Sequence, residues 1–394
     1  MDANTSTATE KARDVTAPPQ SAAEVERPTG KREHVQLKLK RIPLDKWDAL
    51  VATFDGVCQE MTAVFAKRRW PKVDLEPVVM LNKGEAVAGA LVMIQRLPLG
   101  LAKLAIVKWG PALRNETGGQ CQAIYAQAID LLVEEYAEKR GMMLSVMARA
   151  PRRKGAECVE FLAWRGFRRG SGLLFPERYM VKLRYDDKVL RAGLLQKWRY
   201  HLGKSEKEDL VFEHAAPDRL PEFDRLYQAM ADRKKFPDYS AYDTLPDLLA
   251  STSEALRPEL FFVTKDGQLL AGAVIFTAGR TAVYLYGATA DEALPLRAGY
   301  FMHWQIMRWL RDNTGADLYD LGGTDGFQGL RQFKKGMVGS TGIIAPVPPI
   351  YNFASNPLAL FVGTAAYAAR DAVQQTKRFI NWMRTDMARP NQER

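Results

Sequence analysis

Cysteine and histidine are scarce in this chain, which holds three cysteines and four histidines among 394 residues. Cys58, Cys121 and Cys158 form no CxxC pair and have no histidine at metal-ligand spacing, which argues against both a disulfide framework and a zinc site. The sequence also lacks a G-x-S-x-G elbow, so nothing in it indicates a covalent enzyme intermediate. We therefore expect a protein of a reducing compartment that binds no metal.

Long apolar runs are missing too. The uncharged stretch at residues 358–369 is well short of the roughly 20 residues that cross a bilayer. Residues 1–35 are rich in alanine, threonine, proline and charge and lack an apolar segment, which predicts a disordered tail rather than a signal peptide. We expect a cytoplasmic protein that at most lies peripherally on the inner face of the plasma membrane.

Positive charge is in excess, with 56 Lys and Arg against 46 Asp and Glu and a formal net charge of +10. This balance favours an anionic partner, and nucleic acid, a phosphorylated metabolite and anionic lipid all remain open. The hydrophobic fraction of 47% is that of a globular protein, and the length suggests two or three domains.

A repeat is visible within the chain. Residues 78–90 align without a gap on residues 261–273, at a constant offset of 183, and both segments are typical of a strand, a glycine turn and a second strand. A further strand, a glycine-bearing loop, a helix and a last strand follow each hairpin, with the helices predicted over residues 123–139 and 300–313. The fold class is therefore α/β (α+β), a duplicated unit with a mixed sheet in each copy.

Helical segments surround the two copies. We predict helix-rich lead-ins at residues 44–69 and 221–235, and amphipathic helices at 187–208 and 358–384. The last of these either packs back on the body or forms a basic foot on a membrane. The expected domains are a tail at 1–35, a first domain at 36–186, a bridging helix at 187–208, a second domain at 209–348 and a helical extension at 349–394.

Three segments of the second copy resemble one family. They are YLYGAT at residues 284–289, LYDLGGT at 318–324 and LRQFKKGMVG at 330–339. Together they resemble the Fem (FemABX) aminoacyltransferases, which use two tandem GNAT-like domains to append amino acids from aminoacyl-tRNA to the peptide stem of peptidoglycan precursors. The resemblance extends over residues 37–342 and includes the shorter matches Trp109-Gly-Pro111, Lys197-Trp-Arg199 and the segment at 233–237.

The resemblance implies roles for particular residues. Lys334 matches the family's lysine beside the acceptor and the aminoacyl ester, where its ammonium would stabilise the developing oxyanion. Lys335 competes for this assignment, and a solvated lysine on a strand or loop is the ordinary alternative. The substrate-binding candidates are Phe333, Tyr284, Tyr286, Asp320, Gly322, Gly323, Arg331 and Gly336, and the candidates for tRNA or phosphate binding are Arg199, Arg233 and Lys234.

Some of these residues have plainer explanations. Tyr284 and Tyr286 are two apart on a predicted strand, so they are expected to share one face, and they line either a core or a transfer channel. Asp320 follows a strand end and either orients an amine or, as the turn residues favour, caps the next turn.

Two departures from known patterns affect the donor. Residues 208–258 are too short and too proline-broken for the coiled-coil arm of some Fem proteins, and the Q/R-x-x-G-x-G/A signature of coenzyme A binding is absent. The leading hypothesis is an aminoacyltransferase with no resident cofactor that moves an aminoacyl group from tRNA to a lipid-linked or nucleotide-linked cell-wall precursor held by the first domain. The alternatives are an acyl-CoA-dependent N-acyltransferase acting on an amino sugar, polysaccharide or lipid intermediate, and a catalytically silent envelope module.

Overall fold

Two mixed β-sheets organise the residues that the computed structural model describes, which are 36–97, 102–151, 157–234 and 241–387. The predicted tail at 1–35 lies outside these ranges. Within them, no helix combines the length and the apolar character needed to span a membrane.

The first sheet has eight strands in the order β1-β2-β3-β4-β6-β15-β7, with β5 paired to β3. Its strands are β1 (Leu37–Arg41), β2 (Asp74–Asn82), β3 (Glu85–Arg96), β4 (Lys103–Lys108), β5 (Ala112–Leu113), β6 (Met143–Met147), β7 (Arg168–Arg169) and β15 (Tyr351–Phe353). Only the pair β4–β6 is parallel, so the sheet is mixed as predicted.

The second sheet has seven strands in the order β14-β8-β13-β12-β11-β10-β9. Its strands are β8 (Glu177–Lys182), β9 (Val211–Ala215), β10 (Glu259–Lys265), β11 (Gln268–Phe276), β12 (Thr281–Thr289), β13 (Leu318–Asp320) and β14 (Ile343–Pro346). The parallel pair is β12–β13, which occupies the place of β4–β6 in the first sheet.

Twelve α-helices lie within the described ranges. They are α1 (Leu44–Val51), α2 (Ala63–Arg69), α3 (Cys121–Leu132), α4 (Glu157–Trp164), α5 (Asp187–Gly193), α6 (Gln196–Ser205), α7 (Leu220–Lys234), α8 (Leu245–Leu249), α9 (Ala293–Leu296), α10 (Ala298–Asn313), α11 (Gln328–Val338) and α12 (Pro357–Met387). Of these, α4, α8, α9 and α11 were not predicted. A π-helical turn at Val133–Lys139 continues α3. We call the first sheet with α1–α4 and α12 the first lobe, and the second sheet with α5–α11 the second lobe.

The repeated hairpins have the same turn. Lys83 and Gly84 have φ of 48° and 92°, and Asp266 and Gly267 have φ of 49° and 78°. Positive φ at both central residues is the requirement of a type I′ turn, whose twist matches that of the flanking strands, and a glycine meets it without steric cost. The two turns also differ by 183 residues, so the sequence repeat is a repeat of backbone conformation.

The hairpins share a bulge as well. The register of β2 and β3 shifts so that Val87 has no partner, and that of β10 and β11 shifts so that Leu270 has none. These residues are again 183 positions apart. An extra residue at the same place in both hairpins indicates a duplicated unit rather than ordinary sandwich patterning.

The sheets exchange strands across the boundaries expected at residues 186 and 348. Strand β8, which precedes residue 186, lies within the second sheet between β13 and β14. Strand β15, which follows residue 348, lies within the first sheet between β6 and β7. Asn352 of β15 is buried there and accepts a hydrogen bond from Ser145 Oγ at 2.7 Å. Each sheet is therefore completed by a strand from beyond the expected boundary.

The single bridging helix predicted over 187–208 is wrong, since the segment forms two helices, α5 and α6. Leu194 and Leu195 between them are extended, with ψ of 147° and 149°. The backbone groups here bond to the α11 region instead of continuing a helix: Leu195 N donates to Gly336 O at 3.0 Å, and Ser340 N donates to Gly193 O at 2.9 Å. Tertiary hydrogen bonds thus replace helical ones at the break.

An apolar cluster joins the lobes. Trp47, Phe54 and Met61 of the first lobe pack with Phe276 and Val283 of the second, and all five are buried. Trp47 Nε1 donates to Met61 O at 2.7 Å, so the indole N–H is not left unpaired in this core. The cluster fixes α1 and α2 against the second sheet, and this contact forms one side of the cavity described below.

Truncation tests the strand exchange. A chain ending at Pro348 lacks β15, so β6 and β7 lose the strand between them, and we expect a loss of stability well above the roughly 1 kcal/mol of an ordinary substitution. A chain ending at Val373 keeps β15 and the packed residues Ala359 and Tyr367 and should unfold as the full chain does. Urea denaturation, with hydrogen exchange resolved over β4 and β6, measures the difference. Equal protection of β6 in both chains would contradict it.

Candidate active site

A cavity of about 430 Å³ lies between the lobes. Residues from α2, β4 and the segment around Glu60 line it on one side, and β8, β12 and the loop after β13 line it on the other. Five of the lining residues are cationic and three are anionic. Six of the site residues predicted from the sequence line this cavity: Tyr284, Tyr286, Asp320, Gly322, Gly323 and Lys334.

Lys334 is held at this cavity by the backbone of the loop that follows β13. It lies on α11 rather than on a strand or loop, and its side chain is 7% exposed. The ammonium donates hydrogen bonds of 2.5 Å to the carbonyl oxygens of Leu321 and Gly323. An ammonium has three N–H donors, and no described residue accepts the third, which is available to a ligand in the cavity.

The surroundings lower the pKa of Lys334 to about 8, against an ordinary value of 10.5. Burial is the main cause, since it disfavours the charged form, and the nearby Arg178 guanidinium adds repulsion. The carboxylates of Asp320 and Asp325 act in the opposite direction and keep the ammonium charged at neutral pH. A buried lysine with a lowered pKa in a cleft is a typical feature of a functional site.

Asp320 forms an ion pair with Arg178 across neighbouring strands. Arg178 Nη2 and Nε donate to Asp320 Oδ2 at 2.8 and 3.1 Å, and Nε also lies 3.1 Å from Oδ1. Gly322 N donates to Asp320 Oδ1 at 2.9 Å, so the carboxylate does cap the turn. Gly322 has φ of 77°, a conformation that favours glycine. Asp320 thus shapes the loop whose carbonyls hold Lys334.

Tyr284 and Tyr286 do not share a face, contrary to the expectation. Ile275 pairs with Tyr284 and Val274 with Tyr286, so Leu285 is an extra residue that reverses the alternation. Tyr284 contacts His303 of α10 with ring centroids 5.0 Å apart, whereas Tyr286 contacts Tyr242 on the other side of the sheet at 5.0 Å. Both nevertheless reach the cavity wall, since the bulge is at its edge.

Phe333 and Gly336 lie behind Lys334 and are not among the residues that line the cavity. Phe333 packs against Trp198, Tyr300 and His303 at centroid distances of 4.9 to 5.9 Å. A Cβ on Gly336 would lie 2.9 Å from Trp198 Cδ1, so glycine allows α11 to approach α6 closely. These residues position α11, and with it Lys334.

His303 is the polar member of this aromatic support. It is 4% exposed, and burial lowers its pKa to about 3, so the ring is neutral at neutral pH. Its Nδ1 lies 3.1 Å from the Tyr319 hydroxyl. A neutral ring near Lys334 adds no second positive charge beneath the ammonium.

The structure does not bring the remaining candidates to the cavity. Arg331 is exposed and lies 3.9 Å from Glu177, Arg199 Nη1 donates to the carbonyl oxygens of Ala192 and Leu194, and Arg233 pairs with Asp291. The side chain of Lys234 lies outside the described residues.

Sequence reasoning missed the polar side of the first lobe. Glu60 and Lys108 form an ion pair in the cavity wall, and Lys108 Nζ lies 4.8 Å from the centre of the Trp70 ring. Arg149 is also in the wall and donates to Gly56 O at 3.1 Å. The Trp109-Gly-Pro111 match was the available signal, because Trp109 is a cavity residue at the end of β4.

Comparison with known proteins supports the family resemblance. Residues 192–335 match the family model of an acetyltransferase (GNAT) domain. A lipid II:glycine glycyltransferase of Staphylococcus epidermidis is 30% identical over 110 residues, and one of Staphylococcus aureus is 36% identical over 76 residues. These alignments cover 27% and 18% of this chain and 25% and 18% of the relatives. The chain thus spans at most a quarter of the relatives' length.

Solved structures match over more of the fold. The crystal structure of FemX superposes with a TM-score of 0.66 at 17% identity, covering 82% of this chain and 99% of FemX. The C-terminal domain of a putative lysylphosphatidylglycerol synthetase from Agrobacterium fabrum gives a TM-score of 0.50 at 16% identity, covering 82% and 95%. At these identities the solved structures show the fold, a mixed α/β architecture like that of FemX. Together with the glycyltransferase alignments and the GNAT match, they confirm the resemblance to the FemABX proteins drawn from the sequence.

The unusual titration of Lys334 is directly measurable. In protein labelled with carbon-13 lysine, one side-chain resonance should titrate near pH 8, while exposed lysines titrate near 10.4. The resonance should disappear in Lys334→Met and persist in the matched control Lys335→Met, since Lys335 is exposed on the same helix.

Because the folded state binds fewer protons than the unfolded state between about pH 8 and 10.5, the contribution of Lys334 to stability rises with pH across that window. Titration of every lysine near 10 would contradict the burial of this charge.

Proposed function

We propose that this chain is an acyltransferase that forms an amide on a cell-envelope precursor, the peptide stem of a peptidoglycan precursor in the first instance. An acceptor amine attacks the ester carbonyl of an aminoacyl-tRNA in the cavity between the lobes. The observation that carries the proposal is the Lys334 ammonium, buried at the cavity wall with one N–H donor unused by the described residues.

Lys334 supports the chemistry of this step. The amine nitrogen forms a bond to the ester carbon, the carbonyl π electrons move to oxygen, and an oxyanion results. Collapse of this intermediate re-forms the C=O bond and expels the ribose oxygen, which leaves with the proton lost by the amine. The ammonium stabilises the oxyanion, and its low-dielectric surroundings make that attraction stronger than it would be in water.

The charge of the cavity supports an anionic donor. Arg178 is neutralised by Asp320 and Lys108 by Glu60, which leaves Arg69, Arg149 and Lys334 against Asp325 among the lining residues. A net positive cleft favours a phosphate-bearing carrier. Both aminoacyl-tRNA and acyl-CoA have this property, and the match of residues 192–335 to an acetyltransferase model supports acyl-CoA as the second candidate donor.

The names of the similar glycyltransferases indicate which class of acceptor to test. Their names specify lipid II, so we propose a lipid-linked precursor as the first acceptor to test and a nucleotide-linked precursor as the second. Such an acceptor would place the protein at the inner face of the plasma membrane, as a peripheral protein.

Substitution of the lysine tests the mechanism. Lys334→Met removes the ammonium but keeps the length and apolar stem of the side chain, and we expect transfer to fall by about 10²- to 10³-fold, the usual cost of losing one oxyanion donor. The measurement is the movement of label from aminoacyl-tRNA to lipid II. Lys335→Met is the matched control and should retain full activity, and thermal unfolding of both variants checks that the fold is kept.

Parallel reactions with labelled aminoacyl-tRNA and labelled acyl-CoA separate the two donors, since label should move only from the first. Transfer from acyl-CoA alone would replace the proposed donor. Absence of transfer from either donor, with each acceptor, would favour the silent envelope module. Full transfer by Lys334→Met would refute the role given to the ammonium.

The pH dependence follows from the lowered pKa of Lys334. Below about pH 8 the side chain is charged, and above it the ammonium is lost. The ratio of the wild-type rate to the Lys334→Met rate should therefore decrease as the pH rises through about 8, and using the ratio cancels ionisation of the acceptor amine. A ratio that increases over this interval would instead indicate that the neutral amine is the active form.

A further inference from the structure

The loop between β7 and β8 exposes three consecutive apolar side chains. Leu173, Leu174 and Phe175 are 45%, 62% and 45% exposed. We call residues 170–176 the apolar loop. Single exposed apolar residues are common on proteins, but three in a row at the tip of one loop are not explained by packing.

The apolar loop is continuous with the site. A Cβ on Gly326 would lie 2.7 Å from the Phe175 ring, so this ring lies against the loop that leads into α11. Phe327 and Leu330, at the start of α11, are themselves 46% and 38% exposed and extend the apolar surface. The carbonyl oxygen of Phe175 is also near Gly323, whose own carbonyl accepts from Lys334.

Basic side chains flank this surface. Arg168 and Arg169 immediately precede the apolar loop and are exposed, and Arg331 and Lys335 are exposed on α11. Among the acidic groups nearby, Glu177 lies 3.9 Å from Arg331 and Asp371 accepts a hydrogen bond from Ser171, which leaves the exposed Asp325 against four basic side chains. The surface therefore combines an apolar tip with a cationic border.

We propose that the apolar loop docks on an anionic bilayer, with Leu173, Leu174 and Phe175 in the headgroup–acyl boundary and Arg168 and Arg169 at the lipid phosphates. Apolar side chains that enter this boundary and basic side chains that face anionic lipid each contribute to binding, and together they give a reversible attachment. The attachment places the bilayer beside the loop that holds Lys334.

Charge complementarity favours a bilayer over a second copy of this chain. Dimerisation through this surface would bring Arg168, Arg169 and Lys335 of one copy close to the same residues of the other, on a chain of net charge +10. Like charges at an interface oppose association, whereas anionic lipid relieves them. Burial of the apolar tip is favourable whether the partner is a bilayer or a second copy. The basic side chains at its border therefore determine which of the two is favoured.

Vesicle binding by the purified full-length chain tests the proposal. The probes are phosphatidylcholine vesicles with and without phosphatidylglycerol, and the measurement is the fraction of protein that sediments with them. We expect binding to the anionic vesicles that weakens with salt, and a decrease of about tenfold or more in Leu173→Ser/Leu174→Ser, since two apolar side chains leave the boundary. Arg168→Glu/Arg169→Glu should weaken binding to the anionic vesicles as well.

Val211→Ser is the matched control, because Val211 is 59% exposed but lies on β9, at the opposite edge of the second sheet from β8. It should bind as the wild type does, and every substituted residue is exposed, so the variants should fold. The proposal is overturned if the wild type does not bind, if the leucine variant binds undiminished, or if Phe361→Ser on α12 alone abolishes binding. Loss of a wild-type dimer in the leucine variant, without vesicle binding, would identify a second copy as the occupant. No transfer reaction enters the measurement, so its failure is distinct from failure of the proposed function.

Discussion

Burial of a single ammonium group against two backbone carbonyls is the constraint on which the site depends. Removing Lys334 from water is costly unless its donors are satisfied, and the carbonyls of Leu321 and Gly323 must converge on one point to satisfy them. Gly322 permits this convergence through its positive φ, and Asp320 fixes it by accepting from Gly322 N. The YDLGG and FKKG segments thus form a single site, in which YDLGG supplies the two carbonyl acceptors and FKKG supplies the ammonium.

The cavity exists because the two lobes are held together at several independent places. Strands β8 and β15 each complete a sheet from beyond the boundary expected from the repeat, and the cluster around Trp47 and Phe276 fills the space between the lobes. Arg280 N also donates to Asp55 O at 3.0 Å. A hinge motion would expose this core and break the Arg280–Asp55 hydrogen bond, so the structure supports a cleft with fixed walls.

The repeat made most of the fold predictable, because its turns and periodicity are local properties. The positive φ at Gly84 and Gly267 follows from a glycine in a short turn, and the hairpins, helices and mixed sheets follow from patterning. The errors arose where tertiary contacts override local pattern. The break at Leu194 depends on bonds to α11, the bulge at Leu285 reversed the faces of the tyrosines, and Arg178 meets Asp320 across 142 positions of sequence.

The arrangement of charge explains why Lys334, rather than Arg178, Lys108 or Lys335, is suited to the proposed step. Arg178 forms a bidentate ion pair with Asp320, and Lys108 forms an ion pair with Glu60. Neither cation could therefore bind an oxyanion without breaking its existing ion pair. Lys335 is exposed, where water screens its field. Of these four residues, only Lys334 is buried, is hydrogen-bonded only to neutral carbonyls and has an N–H donor that no described residue uses. Lys334 can therefore bind a new negative charge without breaking an existing ion pair.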